Sequence, residues 1–162
     1  MKTEYEVNAE FTKDVDAIVN EKRYVEFNPI REQELKITSI LAIRTNNEGE
    51  HVEPKGNPIV CRKLAPVYQL LTGAAFVVVG DYYFWTHADD IKKKAAIHRA
   101  IMTINVERNK KGEISLKTRK PDIQEFRATV AHFGAWNEGL LDMREALKTS
   151  AKQFAESQKP KG

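Results

Sequence analysis

Apolar positions in this 162-residue chain fall into short blocks separated by polar, Pro- or Gly-containing stretches. Phe11, Val15, Ile18 and Val19 recur at helical spacing and predict a short helix within the first thirty residues. From Glu34 the segment ELKITSILAIRT is rich in β-branched residues and predicts a strand, closed by the turn chemistry of NNEGE. HVEPKGNP follows as a polar loop that holds His51. IVCRKLAPVYQLLTG has helical character, with Pro66 setting a first turn and Gly73 suited to a left-handed terminus. AAFVVV reads as a buried strand, and the aromatic cluster DYYFWTH as core and strand edge.

Thr86 and Asp89 resemble a capping box for a helix at about 87 to 104. Ile91, Ala95, His98, Met102 and Asn105 lie on one stripe of it, which turns His98 inward, while His87 reads as an exposed first-turn residue. A charged hairpin around NKKG leads to a strand at Glu113 to Thr118. After Pro121 a helix carries Ile123, Phe126, Val130 and Phe133 on one face and stops at Gly134. A last helix, at about 137 to 155, begins with Asn137 as N-cap, with Trp136 and Leu141 as a hydrophobic staple. Its stripe is Leu140, Met143, Leu147, Ala151 and Phe154. These elements predict an α+β fold: a small, mostly antiparallel sheet of three or four strands packed by the 87 to 104 helix, with the C-terminal helices completing the core. Residues 1–33 are expected to pack on that core as an extension, 34–137 to form the main domain, and 138–162 to supply a helix and tail, all within one compact unit.

Composition narrows the class. With 41% apolar and 30% charged residues the chain has the balance of a globular domain, and its longest apolar run, GAAFVVVG, is far short of the ~18 residues that span a bilayer. The start MKTEYEVNAE does not resemble a signal peptide. One cysteine, Cys61, forms no intrachain disulfide and fits a reducing, cytoplasmic setting; IVCRKL holds no nucleophile turn, so a buried, inert thiol is expected. Charge is uneven: Lys92, Lys93, Lys94, Arg99, Arg108, Lys110, Lys111, Lys117, Arg119 and Lys120 face only Glu107 and Glu113 in the same window, a local +8 on a chain of net +3. Such a region is either a solvated helix face and hairpin or a surface for nucleic acid or an acidic protein. No Gly-rich phosphate loop is present.

The order of pieces, from the strand and CRKLAPVYQLLTGAAFVVV through the acid-capped helix to KPDIQEF and VAHFGAW, resembles the phage metallopeptidase family, small SprT-like zincins, over roughly residues 34 to 137. The resemblance implies a zinc-binding His-Glu-x-x-His helix and a later His-Asp-x-Glu-Glu-Phe segment. In this chain the first zinc histidine falls on His98, but the catalytic glutamate falls on Arg99 and the second histidine on Met102; the later His falls on Pro121, while Asp122, Glu125 and Phe126 match. Two imidazoles at i and i+4 reach one zinc, and the glutamate between them activates its water. A guanidinium stays protonated and a thioether is a poor ligand for catalytic zinc. The expectation is therefore a catalytically degenerate zincin without cofactor, acting in the host cytoplasm by binding a host or phage macromolecule and inhibiting a host enzyme or defence factor. Two alternatives stand beside it: a zinc peptidase with rearranged ligands, with His98, Glu125 and His132 as the metal set, and a nucleic-acid-binding protein using the basic 92 to 120 region.

Overall fold

The computed structural model describes residues 1–120, 126–134, 136 and 148. Apart from Lys148, the helix expected at 137–155 with its Asn137 cap and stripe lies outside the described residues, as do Pro121, Asp122, Ile123 and Glu125. A four-stranded mixed sheet forms the body, in the order β1 (Lys2–Glu6), β2 (Ile37–Thr45), β4 (Phe76–Asp81), β3 (Ile59–Lys63). β1 with β2 and β3 with β4 are antiparallel, while the central pair β2 and β4 is parallel, with Ile37 opposite Phe76 and Leu41 opposite Gly80. The expected α+β class with a mostly antiparallel sheet is what the chain adopts. β5 (Ile104–Arg108) and β6 (Ile114–Thr118) form the charged hairpin separately.

Two helices cover the inner face of the sheet. α1 (Ala9–Asn20) is capped by Asn8, whose side chain accepts from Phe11 N, and buries Phe11, Val15 and Ile18, the residues its spacing predicted. Gly80 lets this helix approach: a Cβ there would stand 2.7 Å from the Phe11 ring and 2.9 Å from Leu41. The longer helix, α5 (Asp90–Ile101), is capped by Asp89, whose Oδ1 accepts from Lys92 N at 2.9 Å. Asp89 is thus the cap itself rather than the third residue of a box begun by Thr86. Every residue from Ala95 to Met102 is buried, but Ile91 projects into solvent and Asn105 belongs to β5, so the expected stripe is interrupted at both ends.

Local chemistry explains the remaining departures. IVCRK is a strand, not the start of a helix; the helix α3 (Pro66–Thr72) begins at Pro66 and ends at Gly73 with φ of 70°. DYYFWTH forms a short helix, α4 (Tyr82–His87), because Asp81 Oδ1 accepts from Phe84 N at 3.1 Å and so caps a segment whose aromatic content suggested a strand edge. His87 accordingly closes α4 instead of opening α5. α2 (Asn28–Glu32) follows a single 3-10 turn at Val25–Phe27, and α6 (Arg127–Phe133) ends at Gly134 with φ of 66°.

Candidate metal centre

The C-terminal half of α5 meets two different sets of partners. In the first, His98 is wholly buried, walled by the rings of Tyr24 and Phe27, each 4.8 Å away between centroids, and by Phe133 at 5.5 Å. Its Nδ1 lies 2.8 Å from the buried Thr129 Oγ1 of α6, and its Nε2 lies 2.5 Å from Glu26 Oε1. His132, one turn beyond Thr129, brings its own Nε2 to 2.9 Å from that same Glu26 oxygen. Glu26, His98 and His132 therefore gather one carboxylate and two imidazoles, with potential ligand atoms all within 4.8 Å of one another.

The 3-10 turn that carries Glu26 is fastened from both sides. Tyr24 and Phe27 flank it and are each 1% exposed, which fixes the backbone by packing. Arg31 reaches back from α2, donating from Nη1 to Val19 O at 2.7 Å and Glu21 O at 3.1 Å, and from Nη2 to Tyr24 O at 3.0 Å and Asn28 Oδ1 at 2.5 Å. A guanidinium with several aligned acceptors makes a rigid brace. Burial drives the His98 pKa down to about 4, against the opposing pull of the Glu26 hydrogen bond, so its imidazole is neutral at neutral pH. Burial pushes Glu26 upward, yet its own backbone N–H and the His98 hydrogen bond outweigh that and hold it below the usual carboxylate range. The contact is a neutral imidazole N–H donating to a carboxylate.

The second environment, at the motif positions, is cationic. Arg99 is 8% exposed. With the Asn57 amide turned so that its oxygen faces α5, that oxygen accepts from Arg99 Nη1 at 3.1 Å and Nη2 at 3.2 Å. Met102 is 6% exposed, and Arg119 lies against it, donating from Nε to Met102 O at 2.7 Å and placing Nη2 3.7 Å from the thioether sulfur. The resemblance would put a zinc ion here, and the residues present do not fit it: of the two motif imidazoles one is present, a guanidinium stands where the base would be, and a second guanidinium lies beside the position of the second ligand.

The sequence-predicted residues thus separate. His98 and His132 come together, as the rearranged ligand set required, whereas Glu125 lies outside the described residues. The carboxylate that meets them is Glu26, which sequence reasoning missed; its one local signal is a charged residue between two aromatics, in YVEF, on an element too short to show a period. The ten basic residues differ in exposure and partners. Arg99 is buried and Arg119 engages Met102 and, at 5.5 Å, the Phe126 ring. Lys92 and Lys94 are exposed on the first turns of α5, Lys93 lies 4.6 Å over the Trp85 ring, and Arg108, Lys110, Lys111, Lys117 and Lys120 are exposed on or beside the hairpin. Lys117 pairs with Glu107 at 3.2 Å. His51 is an exposed loop residue beside Tyr82, and His87 stacks on Tyr83 with centroids 4.1 Å apart. Cys61 is buried and burial pushes its thiol up to about 12, the inert form expected of it.

Among the described residues, no helix is long and apolar enough to cross a membrane. A family model described as "Putative phage metallopeptidase" matches residues 3–152, a span that takes in the N-terminal segment and Glu26. No curated protein and no solved structure matches the chain.

Proposed function

The chain belongs to the phage metallopeptidase family, and within it we propose a non-proteolytic member that keeps the scaffold and acts by binding a host or phage protein, inhibiting a host enzyme or defence factor. The observation that carries this reading is Arg99, buried at the place of the catalytic glutamate. A general base must accept a proton near neutral pH, and a guanidinium does not. Arg119 against Met102 supports it further, because a fixed cation beside the second ligand position opposes a catalytic dication there.

Surface chemistry supports the binding half. α3 buries none of its residues and presents Val67, Tyr68, Leu70 and Leu71 at 56 to 84% exposure. Several large apolar groups on one exposed element suit a protein partner better than nucleic acid, whose recognition is dominated by phosphate contacts. The test is peptide and casein hydrolysis by the purified full chain with added zinc. No cleavage is expected; cleavage abolished by His98→Ala would overturn the reading. In parallel, a Leu70→Asp/Leu71→Asp variant with an unchanged far-UV spectrum should lose a partner that the wild-type chain retains from infected-host lysate.

A further inference from the structure

The cluster on the other environment of α5 has donors without a dedicated role in the reading above. The geometry points to a zinc-class metal site formed by Glu26 Oε1 and the Nε2 atoms of His98 and His132, drawn from the 3-10 turn, α5 and α6. It shares His98 with the family motif and nothing else; Arg99 and Met102 take no part.

Donor chemistry selects the ion. Two imidazoles and one carboxylate form a set that zinc accepts with a fourth position left for water, whereas calcium and magnesium favour oxygen-only ligation. Both Nε2 atoms already aim at one carboxylate oxygen, at 2.5 and 2.9 Å. With metal bonds of about 2.0 to 2.1 Å, tetrahedral ligand atoms stand roughly 3.4 Å apart. Side-chain torsions that open these contacts by less than about 1 Å make room for an ion that takes the place of the bridging protons.

The surroundings meet the remaining requirements. Metal-binding histidines use an outer partner to fix ring and tautomer; Thr129 Oγ1 stands 2.8 Å from His98 Nδ1 and, as a hydroxyl, can accept from Nδ1–H when Nε2 holds the ion. The Arg31 brace and the rings of Tyr24, Phe27 and Phe133 limit movement of the donors. Access comes from one side, since the His98 side chain is 0% exposed but those of Glu26 and His132 are 14% and 28% exposed. An ion here joins Glu26 to a residue 72 positions away and stabilises the packing of the N-terminal segment on α5 and α6.

The test is calorimetric titration of the chelator-stripped full chain with zinc chloride, and with magnesium chloride as comparison. One zinc per chain and no saturable magnesium binding are expected. Glu26→Gln and His132→Ala, both at partly exposed positions, should each weaken zinc binding by more than roughly 100-fold, and Thr129→Val by about 10- to 100-fold. On the wild-type chain, zinc should shift the imidazole resonances of His98 and His132 and leave those of His51 and His87 in place, a readout that needs no variant to fold. No saturable zinc binding, affinity unchanged in both ligand variants, or shifts confined to His51 and His87 would overturn the site. Zinc held here with no peptide cleavage agrees with the non-proteolytic reading, whereas cleavage lost in Glu26→Gln would overturn that reading and leave the metal site standing.

Discussion

Two regions around α5, a few residues apart in sequence, have opposite electrostatics. At the positions where the resemblance would put a zincin's base and second ligand stand the Arg99 guanidinium and Met102, the latter with the Arg119 guanidinium against its sulfur. Beside them, the Nε2 atoms of His98 and His132 converge on Glu26 Oε1, with a hydroxyl behind the His98 ring. On the proposed reading the motif positions have cations beside them, while the neighbouring cluster gathers donors that a dication accepts. On that reading, losing a catalytic motif is not the same as losing metal-binding chemistry, and one histidine faces partners supplied by other elements.

The largest effect should come from removing the residue the two regions share. His98→Ala leaves a cavity among Tyr24, Phe27 and Phe133 and strips Glu26 and Thr129 of a partner, and is expected to cost about 3 kcal/mol or more in denaturant unfolding of the metal-free chain. Met102→Leu, a volume-conserving swap in the other region, should cost less than about 1.5 kcal/mol. Equal losses would erase the distinction between a polar node and ordinary packing.

Acid should act on the His98 region specifically. The folded-state His98 pKa of about 4 lies below its ordinary 6.5, so the unfolded chain binds more protons between those values. Stability is then present above pH 6.5 and falls as pH drops towards 4, by on the order of 3 kcal/mol. The lowered Glu26 acts in the same direction, adding a loss as the carboxylate protonates. Unfolding of the chelator-treated chain measured across this range should show the decline, and His98→Gln should flatten it.

Zinc should produce a comparable but opposite shift. At about 100 times its dissociation constant it should stabilise the wild-type chain by about 2.7 kcal/mol, an effect retained in Met102→Leu and lost in Glu26→Gln. A rise in unfolding temperature that survives Glu26→Gln would place the ion elsewhere. The smallest effect concerns Cys61, whose buried thiol should react with an alkylating reagent at neutral pH far more slowly than in urea, with or without zinc.

How much of this was legible in the sequence follows the range of each interaction. α1, β2, β4, the hairpin and the Gly73 and Gly134 termini rest on local periodicity and glycine geometry, and each lies where those signals put it. The inward direction of His98 also followed from helical spacing. α4 did not, because the Asp81 cap outweighs the strand preference of its aromatics. β1 carries no apolar alternation to detect, since it is an exposed edge held by backbone pairing to β2. Glu26 was illegible for a different reason: its position beside His98 depends on tertiary docking of a 3-10 turn that lies 72 positions before it in the chain.

The central claim, that the ligands have moved to one region while the motif region has become cationic, is tested most directly by locating the ion. Crystals of the full chain grown with zinc and measured at the zinc absorption edge should give an anomalous peak within bonding distance of Glu26 Oε1, His98 Nε2 and His132 Nε2. No peak among these atoms, or a peak between His98 and Met102 with Arg119 displaced, would contradict it.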